Sequence, residues 1–181
     1  ILQLILIPFG FYVVDKIEYE NKTLNRWDMN LTHIFKYLSK YFNKDSLIFD
    51  VGSHKGELLY FFKQLFPTSR VYCFEPQLDI FKTLIKFIKT KKYKNVVCEN
   101  IGLDKFDGTK YFYSLNNTTQ STFLKVKDHK EKIKNTTDCK VVKGDNYCIL
   151  KNIDSIDILK INVQGLELDV IMGFEKYLST S

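Results

Sequence analysis

Short solid runs of apolar residues alternate along this chain with stripes of apolar residues three or four positions apart. Leu47, Ile48 and Phe49 form the first clear run, and Leu58, Leu59, Phe61 and Phe62 follow at helical spacing as far as Phe66, before Pro67. Arg70–Phe74 (R-V-Y-C-F) is a second run, and Leu78, Phe81, Leu84, Ile85 and Ile88 stripe the segment Leu78–Lys91. Asn95–Cys98, Lys110–Tyr113 and Asp157–Val163 read as further strands, and Leu166–Leu178 as a helix packed through Leu168, Ile171, Met172 and Phe174. Upstream, Asn30–Tyr41 places Leu31, Ile34, Phe35, Leu38 and Tyr41 on one stripe, with Asn30 as its N-cap. Solid runs suit strands buried on both faces, and stripes suit the helices that cover them. Helix, strand, helix, strand, helix, strand predicts an α/β fold: a mostly parallel sheet with helices on both faces.

Two stretches interrupt this order. Residues 114–137 are polar and weakly patterned, and are expected to be one long loop of the kind that serves as a lid. The opening segment I-L-Q-L-I-L-I-P-F-G-F-Y-V-V is too short to cross a bilayer and is broken by Pro8 and Gly10. A strand pair packed on the domain is expected there, the other reading being the remnant of an upstream anchor or signal. The expected organisation is an N-terminal strand and helix extension over residues 1–45, and a ligand-binding domain over 46–181. Because the chain begins at Ile1 and stops at Ser181 just after a helix, both ends read as cut, with C-terminal strands of the sheet missing.

The chemistry concentrates where the first run ends. Asp50, Gly52 and Gly56 give D-x-G-x-x-x-G between a strand and a helix. Strand, glycine turn, helix is how a Rossmann-like sheet brings bare backbone to a nucleotide-like ligand, but this spacing is not the G-x-G-x-x-G that wraps a pyrophosphate. It points instead to S-adenosylmethionine (SAM), an adenosine without a phosphate. About 20 residues beyond Gly56, Glu75 ends the second strand, where a carboxylate can accept both ribose hydroxyls. The same acid could also cap the helix after Pro76. Asp50 can steady the glycine turn or meet the methionine end of the ligand. Asn100 is a candidate contact to the adenine edge, and His54 offers backbone and ring contacts within the turn.

Composition narrows the class further. Hydrophobic residues make up 45% of the 181 positions and aromatics 15%, so the chain can bury a core of single-domain size. The net charge of +6 is mostly lysine, and Lys86, Lys89, Lys91, Lys92 and Lys94 crowd one helix end. Aromatics do not interleave with those lysines as on a base-stacking platform, so a solvated face is expected, without nucleic acid and without stable membrane insertion. Cys73, Cys98, Cys139 and Cys148 form no C-x-x-C pair, which suits reduced thiols in a cytoplasmic protein with neither zinc nor disulfides.

Four stretches together resemble the FkbM-type SAM-dependent methyltransferases. Asp50-Val51-Gly52-Ser53-His54-Lys55-Gly56 is similar to the family's D-V-G-A-N-x-G, and Phe74-Glu75-Pro76 to its F-E-P. Asn100-Ile101-Gly102-Leu103 resembles N-x-A-L, and Asp107-Gly108 matches the turn that follows. Residues 156–167 (I-D-I-L-K-I-N-V-Q-G-L-E) resemble V-D-x-L-K-I-D-V-E-G-x-E. The resemblance implies a Rossmann-like class I methyltransferase fold, SAM as donor, and O-methylation of a hydroxyl on a carbohydrate or small metabolite. It assigns Asp50, Gly52, Ser53, His54, Gly56, Glu75, Pro76 and Asn100 to the cofactor, and Lys160, Asn162, Gln164 and Glu167 to the acceptor side.

Asn162 and Gln164 stand where the family carries Asp and Glu. Amides keep the shape and hydrogen bonding of carboxylates but cannot act as a base. Glu167 then remains as the candidate base, and Lys160 as a charge that could acidify an acceptor hydroxyl. The departures also admit a catalytically degenerate domain that only binds SAM. An NAD-dependent oxidoreductase lacks its glycine fingerprint here, and an amino-methylating nucleic-acid enzyme lacks its N-P-P-Y-type tetrapeptide.

Overall fold

A computed structural model describes residues 4–6, 42–115, 121–124 and 133–178. The stripe at Asn30–Tyr41 and most of the apolar opening lie outside these residues. Leu4–Leu6 is a strand, β1, and the next described elements are β2 (Leu47–Val51), α1 (Glu57–Leu65), β3 (Arg70–Phe74), α2 (Leu78–Lys91) and β4 (Val96–Glu99). Beyond them come β5 (Gly102–Asp104), β6 (Gly108–Leu115), β7 (Ile133–Lys143), α3 (Gly144–Leu150), β8 (Ile158–Ile161), α4 (Glu167–Met172) and α5 (Glu175–Leu178).

Five strands form one parallel sheet in the order β1-β8-β2-β3-β4. All five residues of β2 are buried, as a central strand covered on both faces requires. Its side chains divide between the two cores. Ile48 packs with Leu59, Phe62, Val71 and Leu84 under α1 and α2. Phe49 and Val51 pack with Phe74, Tyr147, Ile161, Val170 and Phe174 on the other face. There Phe49 is ringed by Tyr72, Phe74, Tyr147 and Phe174 at centroid distances of 5.2, 5.2, 6.0 and 5.9 Å. The predicted α/β class and the parallel sheet are as found, and the strands all leave the sheet along the same edge.

A second sheet, β5-β7-β6, departs from the expected long loop. β6 runs on to Leu115 and β7 begins at Ile133, so both ends of the 114–137 stretch are strand, and Tyr113 and Thr122 form a further antiparallel bridge. The alternation that marks a strand is absent from β7 because only Cys139 and Val141 are buried along it. Its antiparallel ladder with β6 holds it, and a ladder leaves no trace in side-chain pattern. Helix α3, also unread in the sequence, supplies Tyr147 and Cys148 to the core.

The helix expected over Leu166–Leu178 is two short ones that meet at Gly173. There a side chain would collide with the backbone carbonyl of Asp104 in β5, and the Gly173 carbonyl accepts the Asp145 N–H at 2.8 Å. The break turns Val170, Phe174 and Tyr177 inward and leaves Leu168 67% and Met172 42% exposed, contrary to their expected burial. Leu78, at the first position of α2, is also exposed, contrary to its expected burial. Among the described residues no helix is long and apolar enough to cross a membrane.

Candidate active site

The four strand ends carry Asp50–Gly56, Glu75, Asn100 and Asn162–Glu167 to one edge of the sheet, where ligands of open α/β folds bind. The glycine turn is hung from its neighbour. The Gly52 and Ser53 N–H groups both donate to the Phe74 carbonyl, at 3.0 and 3.1 Å, and the Ser53 hydroxyl donates to the Asp50 carbonyl at 2.6 Å. Gly52 has φ +74, and a Cβ on it would collide with the Asn162 carbonyl, so the turn after β2 lies directly against the turn after β8. Gly56 (φ +93) opens α1 from the left-handed region.

Glu75 sits beneath this turn and is 6% exposed. One carboxylate oxygen accepts the His54 N–H at 3.0 Å and the other the Gln77 N–H at 2.9 Å. Burial lifts its pKa above the ordinary glutamate value, and these two amides oppose the lift. A carboxylate oxygen has two lone-pair sites, so one amide on each leaves capacity for a ligand hydroxyl on each. The Gln77 bond is the contact to the start of α2 that the helix-cap reading of Glu75 expects, Gln77 being the N-cap position. His54, at φ 48, bonds through Nδ1 to Glu57 at 2.9 Å. Asn100 is a staple: its Nδ2 donates to the carbonyls of Glu75 and Pro76, at 2.8 and 2.9 Å.

Lys160 and Asp50 occupy the centre. The Lys160 ammonium lies 2.7 Å from Asp50 Oδ1 and donates to the Gly52 carbonyl at 2.7 Å and the Val51 carbonyl at 3.3 Å. Asp50 Oδ2 is buried with no hydrogen-bond partner among the described residues. Asp50 is fully buried, so it acts on the glycine turn from beneath, through the Lys160 ammonium.

On the acceptor side Glu167 is buried, and its two oxygens accept the Val163 and Gly165 N–H groups at 3.1 and 2.9 Å. Asn162 and Gln164 are joined to one another, Gln164 Nε2 donating to Asn162 Oδ1 at 3.1 Å. Gln164 adopts φ 56, and its carbonyl accepts the Thr122 hydroxyl at 3.0 Å. Among the residues placed at this edge by motif, Lys160 is thus held by Asp50 and the glycine turn, Glu167 by amides of its own turn, and Asn162 and Gln164 by each other.

Residues 50–181 match the Methyltransferase FkbM domain. The chain belongs to the FkbM methyltransferase family. Methyltransferase 1 of Beauveria bassiana (strain ARSEF 2860) is 25% identical over 151 residues, which cover 74% of this chain and 60% of that protein. The crystal structure of Methyltransferase FkbM from Methylobacillus flagellatus KT shares the fold, with a TM-score of 0.53 at 17% identity over 76% of this chain and 31% of that one. The chain therefore spans about 60% of the length of the curated relative it matches.

Within this FkbM domain, sequence reasoning missed Thr122 and Leu124, which reach the Gln164–Gly165 turn. The available signal was S-T-F-L, a β-branched and apolar step inside an otherwise polar stretch. Tyr147 was missed too; its hydroxyl donates to Glu99 at 3.0 Å at the end of β4, and Lys151 joins the same carboxylate at 2.9 Å.

Proposed function

We propose that this domain binds SAM at the Gly52–Gly56 turn and transfers its methyl group to a hydroxyl of a carbohydrate or small metabolite. The observation that carries the reading is the Glu75 carboxylate, buried against the glycine turn with one backbone amide on each oxygen. That leaves it matched to a pair of vicinal hydroxyls such as a ribose carries. Asp50 steadies the glycine turn through Lys160, and Asn100 keeps the Glu75 and Pro76 backbone in place below the nucleoside.

The sulfonium supplies an activated methyl group, so the protein has mainly to align the acceptor oxygen and exclude water. Family membership, the fold and the donor-side geometry support this. Glu167 holds the turn amides and Lys160 the cofactor turn, so we assign both as positioning residues rather than as base and acidifying charge. Asn162 and Gln164 orient the acceptor by hydrogen bonding, and its proton leaves to solvent. A general base adds typically 10²–10⁴-fold, and a domain without one is slower by that order. The second reading, a domain that binds SAM without turnover, draws on Lys160 and Glu167, both of which are engaged within the protein.

Titration calorimetry with SAM and S-adenosylhomocysteine tests the assignment. Binding by the wild type and at least tenfold weaker binding by Glu75→Ala are expected. Equal affinity of the two proteins sinks the cofactor site.

A further inference from the structure

Ser121–Leu124 is a short described segment whose residues reach three other parts of the fold. The Ser121 hydroxyl accepts the Leu115 N–H at 3.0 Å, and Thr122 exchanges backbone hydrogen bonds with Tyr113 at 2.8 and 3.1 Å. Phe123 meets Phe112 edge to face at 4.9 Å and lies against Gly102, where a Cβ would come within 3.0 Å of its ring. Leu124 lies over Gly165, and a Cβ there would be 2.7 Å from its Cδ1. The buried Thr122 side chain forms the centre: its hydroxyl donates to the Gln164 carbonyl at 3.0 Å and accepts the Leu124 N–H at 3.1 Å.

Those contacts end on the same turn that Gly52 touches from the other side. Asn162 presents its carbonyl to Gly52, Lys160 bonds the Gly52 carbonyl, and Glu167 ties Val163 and Gly165 into one turn. A continuous set of packed and hydrogen-bonded groups thus runs from the glycine turn through Asn162–Glu167 to Ser121–Leu124.

We infer that Thr122 is a positioning residue that makes Ser121–Leu124 the acceptor-side wall and couples its order to occupancy of the cofactor turn. The inference rests on the cofactor reading above. Cofactor contacts that fix the glycine turn also fix the turn packed against it, and the Thr122 hydroxyl carries that restraint to the wall. The acceptor then meets a finished surface only after the cofactor is in place. For this to hold, the cofactor must favour the arrangement in which the Thr122 bond is made.

Amide hydrogen exchange on the full chain tests it in two arms, with Thr122→Val removing the hydroxyl at equal bulk and Thr122→Ser retaining it. In the ligand-free protein, peptides covering 162–166 are expected to exchange about tenfold faster in Thr122→Val and at the wild-type rate in Thr122→Ser. With saturating S-adenosylhomocysteine, exchange over 121–124 slows in wild type and Thr122→Ser but not in Thr122→Val, which binds the compound more weakly because the coupling is reciprocal. Unchanged exchange over 162–166 in Thr122→Val overturns the inference, as does ligand protection of 121–124 that survives the substitution. Should Thr122→Val not fold, Thr122→Ala removes the same hydroxyl and is read in the same way. If wild type fails to bind S-adenosylhomocysteine, the cofactor reading and the coupling fall, and the ligand-free arm still decides whether Thr122 holds the turn.

Discussion

Lys160 Nζ and Asp50 Oδ1 lie 2.7 Å apart in a pair that is 3% and 0% exposed, and the same ammonium bonds two carbonyls of the glycine turn. Removing one member of such a pair leaves a buried charge uncompensated. Lys160→Ala is expected to cost about 3–5 kcal/mol of folding stability, measured by urea unfolding. Asp50→Asn combined with Lys160→Met should cost less than the sum of the two single changes. A Lys160→Ala protein of wild-type stability that loses only turnover would return Lys160 to a direct role at the acceptor.

Glu75 should make cofactor affinity depend on pH. Its folded-state pKa is raised, chiefly by burial. The ionised form accepts hydroxyl donors, so binding is full above that pKa and is lost as pH falls through it, starting above the range of an ordinary glutamate. The same shift has a stability consequence of opposite sense: ionisation costs the native state more than the unfolded one, so this group's contribution worsens as pH rises between the unfolded and folded values. Calorimetry across that range should show the affinity change in wild type, and Glu75→Gln should flatten it.

Gly52→Ala tests the contact between the two turns. The residue sits at φ +74 with the Asn162 carbonyl where a side chain would go. Strain alone is worth about 1–3 kcal/mol, and displacement of the Asn162 carbonyl adds to it. Thermal unfolding and SAM affinity should both fall. Loss of affinity at unchanged melting temperature would mean that the glycine serves only ligand access.

The Asn162–Gln164 pair separates slow positional catalysis from degeneracy. Converting both to Asp and Glu replaces the 3.1 Å amide bond with two carboxylates able to serve as a base. Under the positional reading the wild type turns over slowly and the double change raises turnover by about 10²-fold or more, the size of a restored base. No wild-type turnover despite SAM binding would favour the degenerate reading.

Much of this was legible because it is local. Leu47–Val51 and Arg70–Phe74 are central strands whose apolar runs need no partner to be recognised, and the glycine turn is a chain-neighbour pattern. Gly173 was harder, because the collision that splits the last helix comes from Asp104, far away in sequence. β7 was invisible for a similar reason: a polar strand exists through its ladder with β6. At the site, residue type located Lys160 and Glu167 correctly on the edge but said nothing of what they touch. Lys160 answers to a residue 110 positions upstream, and Glu167 to amides within its own turn.

That long separation bears on synthesis. By the time α2 has left the ribosome, the glycine turn and Glu75 already exist, yet Asp50 lies in a strand that is to be buried on both faces and has no countercharge. The cation arrives only with β8, so the glycine-turn side of the proposed site cannot mature ahead of the Asn162–Glu167 side. A nascent chain stalled before Lys160 should remain protease-sensitive around β2 even with SAM present, and gain protection within a few residues of Lys160 emerging.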